Sequence, residues 1–475
     1  MYDIIVIGGG VVGCAILREL SRYKIKSLLI EKQEDVGCGS SKANSGIVHA
    51  GYDAEEGTLK AKFNLAGNEM YKALCNELNV PFKQIGSLVL SNSDKLDEIK
   101  KLYNRGLKNG IVGMEILNRQ EIIKIEPNVA DEIEYALYAP TAAIVSPYEL
   151  TVALAQQAIV NESEILLGRE IVDIVWNGKN FVIIDNIGNE YESLVVINSA
   201  GYASEKMCAL IGEQSEKTTY KRGDYFILDS AEGDKFKHVC FPLPDEKGKG
   251  ILVSPTAEGN IIVGPTNITV ERGDDTAVEE DALELIKTKA ISMVKNLNFK
   301  KVIRVFAGVR SICGNDFIIK NGKNPNFIKL QGICSPGLTS APSIAKYVVE
   351  NLMKNTQVTL VAKNEFKSLP KRIITRNLSK QEWAMLIESR SDYAHIVCRC
   401  EKITEGEIND CLNGPLPPKS LDALKRRVRT GMGRCQGGFC SPRVMEIFSK
   451  FYNIPLEDVT KCGKGSEIVV GGIKS

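Results

Sequence analysis

Histidine, tryptophan and long apolar runs are scarce in this sequence of 475 residues. It contains three histidines and two tryptophans, and no apolar run is long enough to cross a bilayer as a helix. The 60 basic and 59 acidic residues nearly balance, so a net charge of +1 creates no field that would attract nucleic acid or an acidic membrane. These absences predict a protein without a membrane span of its own and without a nucleic-acid partner.

An export signal and a disulfide pattern are missing too. The apolar N-terminus has no preceding positive region and begins with Tyr2 and Asp3. Nine of the thirteen cysteines are scattered singly, as expected for reduced thiols in a cytosolic chain. We predict a cytoplasmic protein of two or three domains, for which a partner would provide any association with a membrane.

The first thirty-two residues predict a dinucleotide-binding βαβ unit. Residues 3–7 are a short apolar run typical of a buried parallel strand. Residues 11–23 carry apolar side chains at helical spacing, and residues 27–30 predict a second strand. A G-x-G-x-x-G motif separates the first strand from the helix. The alternative is a glycine-rich turn that binds nothing.

Three glycines and one carboxylate give this motif its chemistry. Gly8 permits the tight turn, Gly10 lets the backbone approach a pyrophosphate, and Gly13 lets the helix pack closely on the sheet. The helix N-terminus offers N–H groups to the phosphates. Glu31, eighteen residues after Gly13, is spaced to accept hydrogen bonds from ribose hydroxyls, and its charge argues against a 2′-phosphate.

A second polar loop, residues 35–53 (DVGCGSSKANSGIVHAGYD), follows the βαβ unit. Its hydroxyl, amide and backbone donors are candidates for lining the pyrophosphate and ring of a cofactor, namely Ser40, Ser41, Asn44 and Ser45. His49 lies in the same loop. Its imidazole is a candidate general base, and an ordinary structural histidine is the alternative.

Later segments favour FAD over NAD as the dinucleotide. Residues 169–176, 180–185 and 191–197 predict an antiparallel meander with an Asn-Gly turn, which is typical of FAD-binding Rossmann folds. Only one G-x-G-x-x-G unit is present. The meander ends near Gly201, whose small size allows close approach to the dinucleotide. A helix predicted after residues 336–339 would direct its N-terminus at a reduced flavin.

Other elements follow from hydrophobic spacing. Residues 82–91 predict one strand, and residues 216–330 predict antiparallel strands with one helix. Further helices are predicted at 55–79, 94–109, 148–160 and 277–296.

The four remaining cysteines form two close pairs near the C-terminus. Cys398 and Cys400 make a C-x-C pair, and Cys435 and Cys440 enclose Gln-Gly-Gly-Phe. Together they can bring four thiolates to one point, as zinc or an iron–sulfur cluster requires. Structural zinc sites prefer C-x₂₋₄-C pairs, so the tight C-x-C and the glycine-rich loop favour a [2Fe–2S] cluster, with zinc as the alternative.

Basic residues are concentrated around these cysteines. They would offset the charge of a cluster, dock an acidic partner, or simply form a solvated face. They are Arg399, Lys425, Arg426, Arg427, Arg429 and Arg434.

These motifs carry a resemblance to known families. Residues 1–355 resemble the D-amino-acid-oxidase/glycerol-3-phosphate-dehydrogenase superfamily of FAD enzymes, and ANSGIVHAGYD…GTLKAKFNLAGN is especially similar to L-2-hydroxyglutarate oxidase. The tail VCRCEKITEGEI…KRRVRTGMGRCQGGFC resembles the bacterioferritin-associated-ferredoxin-like [2Fe–2S] domain found in anaerobic glycerol-3-phosphate dehydrogenase.

The resemblance implies a set of site residues. His49 falls where family members place a residue near the isoalloxazine, and Arg310 matches the arginine that holds an anionic substrate group. It implies four cluster ligands, Cys398, Cys400, Cys435 and Cys440. It implies FAD contacts at Gly8, Gly10, Gly13, Glu31, Ser40, Ser41, Asn44, Ser45, Val172, Gly201, Gly337, Leu338 and Thr339. The strand residues Arg222, Tyr225, Ser254 and Thr256 either complete the pocket or are ordinary strand positions.

The resulting fold class is an α/β FAD-binding Rossmann-type domain with an interleaved α+β antiparallel-sheet substrate domain and a small, mainly helical [2Fe–2S] domain. The FAD-binding domain is predicted at 1–81, 146–215 and 325–355, and the substrate domain at 82–145 and 216–324. A linker at 356–390 leads to the [2Fe–2S] domain at 391–475.

The predicted function is a dehydrogenase for sn-glycerol 3-phosphate. A substrate carbon gives a hydride to flavin N5, and electrons leave through the cluster to an acceptor protein or a second flavoprotein subunit. The alternatives are the same chemistry on L-2-hydroxyglutarate, another 2-hydroxy acid or an amino acid, and a non-catalytic electron carrier.

Overall fold

The structure is a computed structural model that describes residues 1–244 and 250–471. The predicted domains at 216–324 and 391–475 therefore each include a few residues, 245–249 and 472–475, that lie outside the described part. Within the described part no helix is long and apolar enough to cross a membrane.

Strands and helices are interspersed along the chain. The strands of the described residues are β1 (Tyr2–Ile7), β2 (Ser27–Glu31), β3 (Ile47–Val48), β4 (Phe82–Gln84), β5 (Ser87–Ser91), β6 (Glu115–Asn118), β7 (Tyr135–Ala139), β8 (Ala143–Val145), β9 (Glu164–Leu167), β10 (Ile171–Trp176), β11 (Phe181–Asp185), β12 (Glu190–Asn198), β13 (Thr219–Leu228), β14 (Val239–Pro242), β15 (Leu252–Pro255), β16 (Ile261–Gly264), β17 (Ile268–Val270), β18 (Val302–Ile312), β19 (Ile318–Asn321), β20 (Phe327–Gln331), β21 (Ile396–Cys398) and β22 (Ile403–Thr404). The α-helices are α1 (Val11–Leu20), α2 (Leu59–Leu78), α3 (Leu96–Lys108), α4 (Arg119–Ile125), α5 (Pro147–Val160), α6 (Ser204–Leu210), α7 (Glu280–Ile291), α8 (Gly337–Glu350), α9 (Lys380–Ser389), α10 (Glu405–Leu412), α11 (Leu421–Val428) and α12 (Ser441–Tyr452).

The first sheet has a parallel centre in the order β9-β2-β1-β12-β20. Both faces of β1 are covered, which explains its unbroken apolar run: Ile4 and Val6 pack among the helices, whereas Ile5 and Ile7 pack against the β10–β11–β12 meander. The meander is antiparallel, as predicted.

Among the described residues the second sheet has nine strands, in the order β17-β13-β16-β15-β14-β5-β7-β6, and β18 pairs with β13 near one end of that order. Its pairs are antiparallel except for β14 and β5, which run parallel. On β13, Phe226 and Leu228 pack into one core, whereas Tyr225 and Ile227 pack on the opposite face, as a period of two requires. A small third sheet, β3-β8-β4, is hydrogen-bonded separately.

Some predicted elements are interrupted or shorter in the structure. Residues 82–91 form two strands, β4 and β5, because Gly86 between them adopts a left-handed φ of +72°. The helix predicted from residue 55 begins at Leu59, where the Thr58 side chain accepts a hydrogen bond from the Ala61 N–H and caps it. The helix predicted at 277–296 spans only α7.

The C-terminal region is small and mainly helical. The short hairpin β21–β22 and helices α10, α11 and α12 enclose their own core, which includes Leu424 and Phe448. This region does not stand apart, since α11 packs against α5 of the first part of the chain.

Candidate active site and iron–sulfur site

A cavity of about 1930 Å³ lies between the two large sheets. Most of the predicted flavin and substrate residues line it. They are Gly8, Gly10, Glu31, Ser40, Ser41, Asn44, Ser45, His49, Gly201, Arg310, Gly337 and Leu338. The carboxyl end of β1 and the N-terminus of α8 thus open onto the same space.

The first turn has the close packing that the glycines predict. Gly8 has φ +106°, and a Cβ there would come within 2.6 Å of the Ser199 carbonyl oxygen. A Cβ on Gly13 would come within 2.0 Å of the Gly8 carbonyl oxygen, so Gly13 acts in packing and does not line the cavity. Glu31 accepts a hydrogen bond from the Gly9 N–H at 2.6 Å, and burial raises the pKa of its carboxyl.

The second polar loop is tied to the substrate sheet. The Ser40 hydroxyl donates to the Val309 carbonyl at 2.5 Å, and a Cβ on Gly308 would come within 1.9 Å of the Ala43 carbonyl oxygen. Ser41 Oγ accepts from the Val11 N–H at 2.9 Å, at the start of α1. One loop therefore joins the phosphate turn to β18, the strand that carries Arg310.

His49 lines the cavity and is held by its backbone. Its N–H donates to Thr339 Oγ1 at 2.9 Å, which places Thr339 behind the cavity wall. Its carbonyl oxygen accepts from Asn64 Nδ2 at 2.9 Å and from Asn68 Nδ2 at 3.1 Å. The ring lies 5.9 Å from the Phe241 ring, between centroids.

Sequence reasoning missed Asn64 and Asn68. Both belong to α2, four residues apart on one face, where asparagine is a poor helix former. Two such residues at helical spacing on the inner face of a helix are a usable signal for hydrogen bonding to another segment. Here they fix the position of His49.

Arg310 faces the cavity from β18. Its Nη2 donates to the Thr266 carbonyl and to Asn267 Oδ1, both at 3.0 Å. These bonds orient the guanidinium, whose planar fork suits a carboxylate or a phosphate.

The four further residues predicted as possible pocket members, three of which lie on strands in the structure, divide into two groups. Tyr225 and Thr256 line the cavity, and the Tyr225 ring stacks on Phe306 at 4.8 Å. Arg222 and Ser254 do not line it. Arg222 is 1% exposed and pairs with Glu279 at 2.9 Å, because its position on β13 has the opposite parity to Tyr225.

Val172 is also absent from the cavity wall. Its side chain is 42% exposed on β10, whereas Ile171 and the preceding Arg169 and Glu170 line the cavity. Alternation along the strand directs adjacent side chains to opposite faces, so the cavity contact in this segment falls one residue earlier than predicted.

The four C-terminal thiols lie as two pairs. Cys400 Sγ and Cys435 Sγ are 3.7 Å apart, and Cys398 hydrogen-bonds with Cys440. That bond from Cys440 lowers the pKa of Cys398 to about 6. Among the described residues no three His, Cys, Asp or Glu side chains are grouped to hold a single metal ion. Four thiols in two neighbouring pairs are the ligand set that a [2Fe–2S] cluster takes.

The basic residues near the cysteines are mostly neither solvated nor open to a partner. Asp35, 1% exposed, contacts Arg426 Nη2 at 2.8 Å and both terminal nitrogens of Arg427 at 2.7 Å. Arg429 donates to the Tyr148 hydroxyl at 2.7 Å and to Glu401 at 2.8 Å. We call the Asp35–Arg426–Arg427 group the Asp35 clamp, since it fastens the C-terminal region to the flavin loop.

The clamped region forms part of the cavity wall. Lys425, Met432 and Gln436 line the cavity, and Gln436 Oε1 accepts from Arg304 Nη1 of β18 at 3.2 Å. Burial, and next the Arg304 charge, lower the pKa of Lys425 to about 8. The loop that carries Cys435 is therefore adjacent to the cavity.

Comparisons with known proteins agree with this geometry. A family model described as FAD dependent oxidoreductase matches residues 3–351, and one described as BFD-like [2Fe-2S] binding domain matches residues 396–450. The chain is 42% identical to a glycerol 3-phosphate dehydrogenase of Caloramator mitchellensis, covering 100% of this chain and 99% of that protein.

Two further relatives match the flavin part. The solved structure of an FAD-bound L-alpha-glycerophosphate oxidase from Mycoplasma pneumoniae has a TM-score of 0.73 and 30% identity, covering 78% of this chain and 99% of that one. An L-2-hydroxyglutarate dehydrogenase of Escherichia coli is 28% identical, covering 62% of this chain and 71% of that protein. The chain therefore belongs to the FAD-dependent oxidoreductase family, binds FAD, and carries a C-terminal BFD-like [2Fe–2S]-binding domain.

Proposed function

We propose that this chain oxidises sn-glycerol 3-phosphate to dihydroxyacetone phosphate and passes the electrons through its own [2Fe–2S] cluster to an acceptor protein. The observation that carries the substrate assignment is the similarity, over the full length of both chains, to a glycerol 3-phosphate dehydrogenase. The glycerophosphate oxidase match supports the same substrate for the flavin part.

Two side chains on the cavity wall would act on the substrate. Arg310 would hold the phosphate through its planar fork, oriented by its bonds to Thr266 and Asn267. His49 would take the proton of the substrate hydroxyl as a general base. Hydrogen bonds from Asn64 and Asn68 and to Thr339 hold the His49 backbone in place at the cavity wall, which supports this role.

Four thiols would hold the cluster: Cys398, Cys400, Cys435 and Cys440. When bound, the flavin accepts two electrons from the substrate and the cluster carries electrons singly. The Asp35 clamp would keep the cluster loop beside the cavity, where Met432 and Gln436 already form part of the wall. That placement supports the proposed electron route within one chain.

An anaerobic absorption spectrum tests this proposal. Protein purified without air is expected to show flavin and iron–sulfur bands, and glycerol 3-phosphate is expected to bleach the flavin band. Bleaching by L-2-hydroxyglutarate alone would transfer the assignment to a 2-hydroxy acid, as the Escherichia coli relative would suggest. Bleaching by neither compound would favour an electron carrier without catalytic turnover.

A further inference from the structure

Phe439 is exposed to an unusual degree for an aromatic residue. It lies between the thiols Cys435 and Cys440, directly after Gly437 and Gly438, and 86% of it is accessible to solvent. A phenylalanine typically buries roughly 150 to 250 Å² in a folded protein. Here the turn directs the ring away from the core, so the side chain makes little contribution to the fold of its own domain.

The backbone of Phe439 contacts the proposed cluster ligands. Its N–H donates to the Cys435 sulfur. The Cys435 N–H in turn donates to the Cys400 sulfur, and the two sulfurs are 3.7 Å apart. Cys400 is exposed, whereas Cys398 and Cys440 are 2% and 3% exposed. The Cys400–Cys435 side is therefore where a cluster would come closest to solvent, with Phe439 beside it.

Two positive charges adjoin this side. Arg399 and Lys402 flank Cys400 and are exposed, and within residues 1–244 and 250–471 neither makes an ion pair or a side-chain hydrogen bond. The acidic residues nearest in sequence are already paired, Glu401 with Arg429 and Glu405 with Arg443. The surface around the exposed thiol is thus apolar at Phe439 and positive at its rim.

The opposite side of the same loop faces inward. Met432 and Gln436 line the flavin cavity, whereas Cys400 and Phe439 face solvent. A cluster held between them would have a flavin side and a solvent side. An aromatic anchor with a charged rim is the composition of a protein–protein interface, in which opposite charges steer encounter.

We propose that Phe439, Cys400, Arg399 and Lys402, here called the outer face, dock an acidic protein that carries one electron. This inference rests on the proposed function and adds the class of its acceptor. For each glycerol 3-phosphate oxidised, two electrons and two protons leave the substrate. Two carrier molecules each gain one electron, both protons go to solvent, and dihydroxyacetone phosphate is released.

Binding of carrier proteins of opposite charge tests the proposal. The anaerobic holoenzyme is titrated with an acidic rubredoxin and, separately, with a basic cytochrome c, by biolayer interferometry at low and high salt. We expect rubredoxin to bind and cytochrome c not to bind, with affinity falling as salt screens the charges. Phe439→Ser and the Arg399→Gln/Lys402→Gln double variant should each weaken rubredoxin binding at least tenfold, and Phe439→Leu should weaken it less.

Matched controls separate docking from folding. Val112→Ser and Lys83→Gln alter an exposed apolar and an exposed basic residue outside the C-terminal region, and should leave binding unchanged. The 2Fe absorption bands and flavin bleaching by glycerol 3-phosphate should be unchanged in the outer-face variants. Reduction of rubredoxin should fall with its binding, whereas reduction of a small dye should not.

Several results would overturn the proposal. One is equal binding of rubredoxin by the parent and the outer-face variants, and another is equal binding of cytochrome c and rubredoxin by the parent. A third is a change of oligomeric state in Phe439→Ser, which would assign the outer face to contact with a second copy of the chain. Failure of the proposed function is distinguishable. In that case substrate would not bleach the flavin, and yet binding to dithionite-reduced protein would still report on the outer face.

Discussion

Replacing Asp35 by asparagine should release the C-terminal domain from the flavin part. The substitution keeps the size of the side chain and removes the charge that faces two buried guanidinium groups, with nitrogen–oxygen distances of 2.7 to 2.8 Å to Arg427 and Arg426. Asp35 is 1% exposed, and the two arginines are 5% and 2% exposed. No solvent is therefore available to replace the lost carboxylate.

The expected effect is large because both arginines remain buried. Removing one partner of a buried ion pair costs about 3 to 5 kcal/mol, mostly as the penalty of leaving the other charge uncompensated. Here that charge is Arg427, since Arg426 keeps a second carboxylate, Glu34, at 3.3 Å. At about 1.4 kcal/mol per tenfold change, this lowers the docking equilibrium constant by about two to nearly four orders of magnitude. Docking contacts elsewhere, such as Arg372 with Glu149 at 2.7 Å, remain.

Hydrogen exchange and limited proteolysis measure the release. In Asp35→Asn, amides of α5 and α11 should lose protection and residues 356–390 should become more susceptible to cleavage, with FAD and cluster content unchanged. Asp131→Asn is the matched control, since that carboxylate pairs with Lys295 at 2.7 Å but is exposed, and its loss should leave amide protection and cleavage unchanged. Equal protection in the parent and Asp35→Asn would refute the clamp.

Other substitutions test the catalytic and cluster residues. Arg310→Leu should lower kcat/KM for glycerol 3-phosphate at least about 100-fold, since two charge-assisted hydrogen bonds to the substrate phosphate are lost. A normal kcat/KM would contradict the assignment of Arg310 to the phosphate. His49→Ala should slow flavin reduction by about 10²- to 10⁴-fold in stopped-flow measurements, and an unchanged rate would exclude it as the base. Asn64→Ala should slow the same step by about three- to tenfold through loss of one buried hydrogen bond, while FAD content is retained. Cys400→Ser should abolish the 2Fe absorption bands and leave those of the flavin. Docking should also weaken in acid. Burial alone would raise the pKa of Asp35, but the charges of Arg427 and Arg426 hold this pKa below its ordinary value of 3.8. The contribution of Asp35 to docking is therefore complete above the ordinary pKa and is lost as the pH falls through the lower pKa of the folded state.

Short elements could be predicted from the sequence, because the residues within them and at their ends are sufficient to define them. The buried strand β1, the glycine turn after it and the position of Glu31 follow from apolar spacing and from the few conformations that glycine allows. The meander was predictable because its turn residues favour only one connection. The four cysteines were recognisable because they form two motifs that are each close in sequence, although in the structure the thiols pair across the motifs, Cys400 with Cys435 and Cys398 with Cys440.

Side-chain direction on the long strands was harder to predict. On β13, Arg222 and Tyr225 are both plausible pocket residues by type. Their side chains leave opposite faces of the strand, so that Tyr225 lines the cavity and Arg222 lies among carboxylates. Only the structure shows which face of β13 is turned to the cavity. The same alternation shifts the cavity contact from Val172 to Ile171. A one-residue error in register exchanges the two faces of a strand.

Contacts between distant segments were decided only by the tertiary structure. In the sequence, Arg426 and Arg427 look like part of a solvated basic face. Nothing in the neighbouring residues indicates that Asp35, near the other end of the chain, accepts hydrogen bonds from both of them. The hold of Asn64 on His49 likewise depends on where α2 packs. The sequence by itself therefore determined which cofactors the chain is built for, through short motifs. Packing alone decided how the cluster domain is fastened to the flavin cavity, because buried charges must find partners wherever the fold brings them.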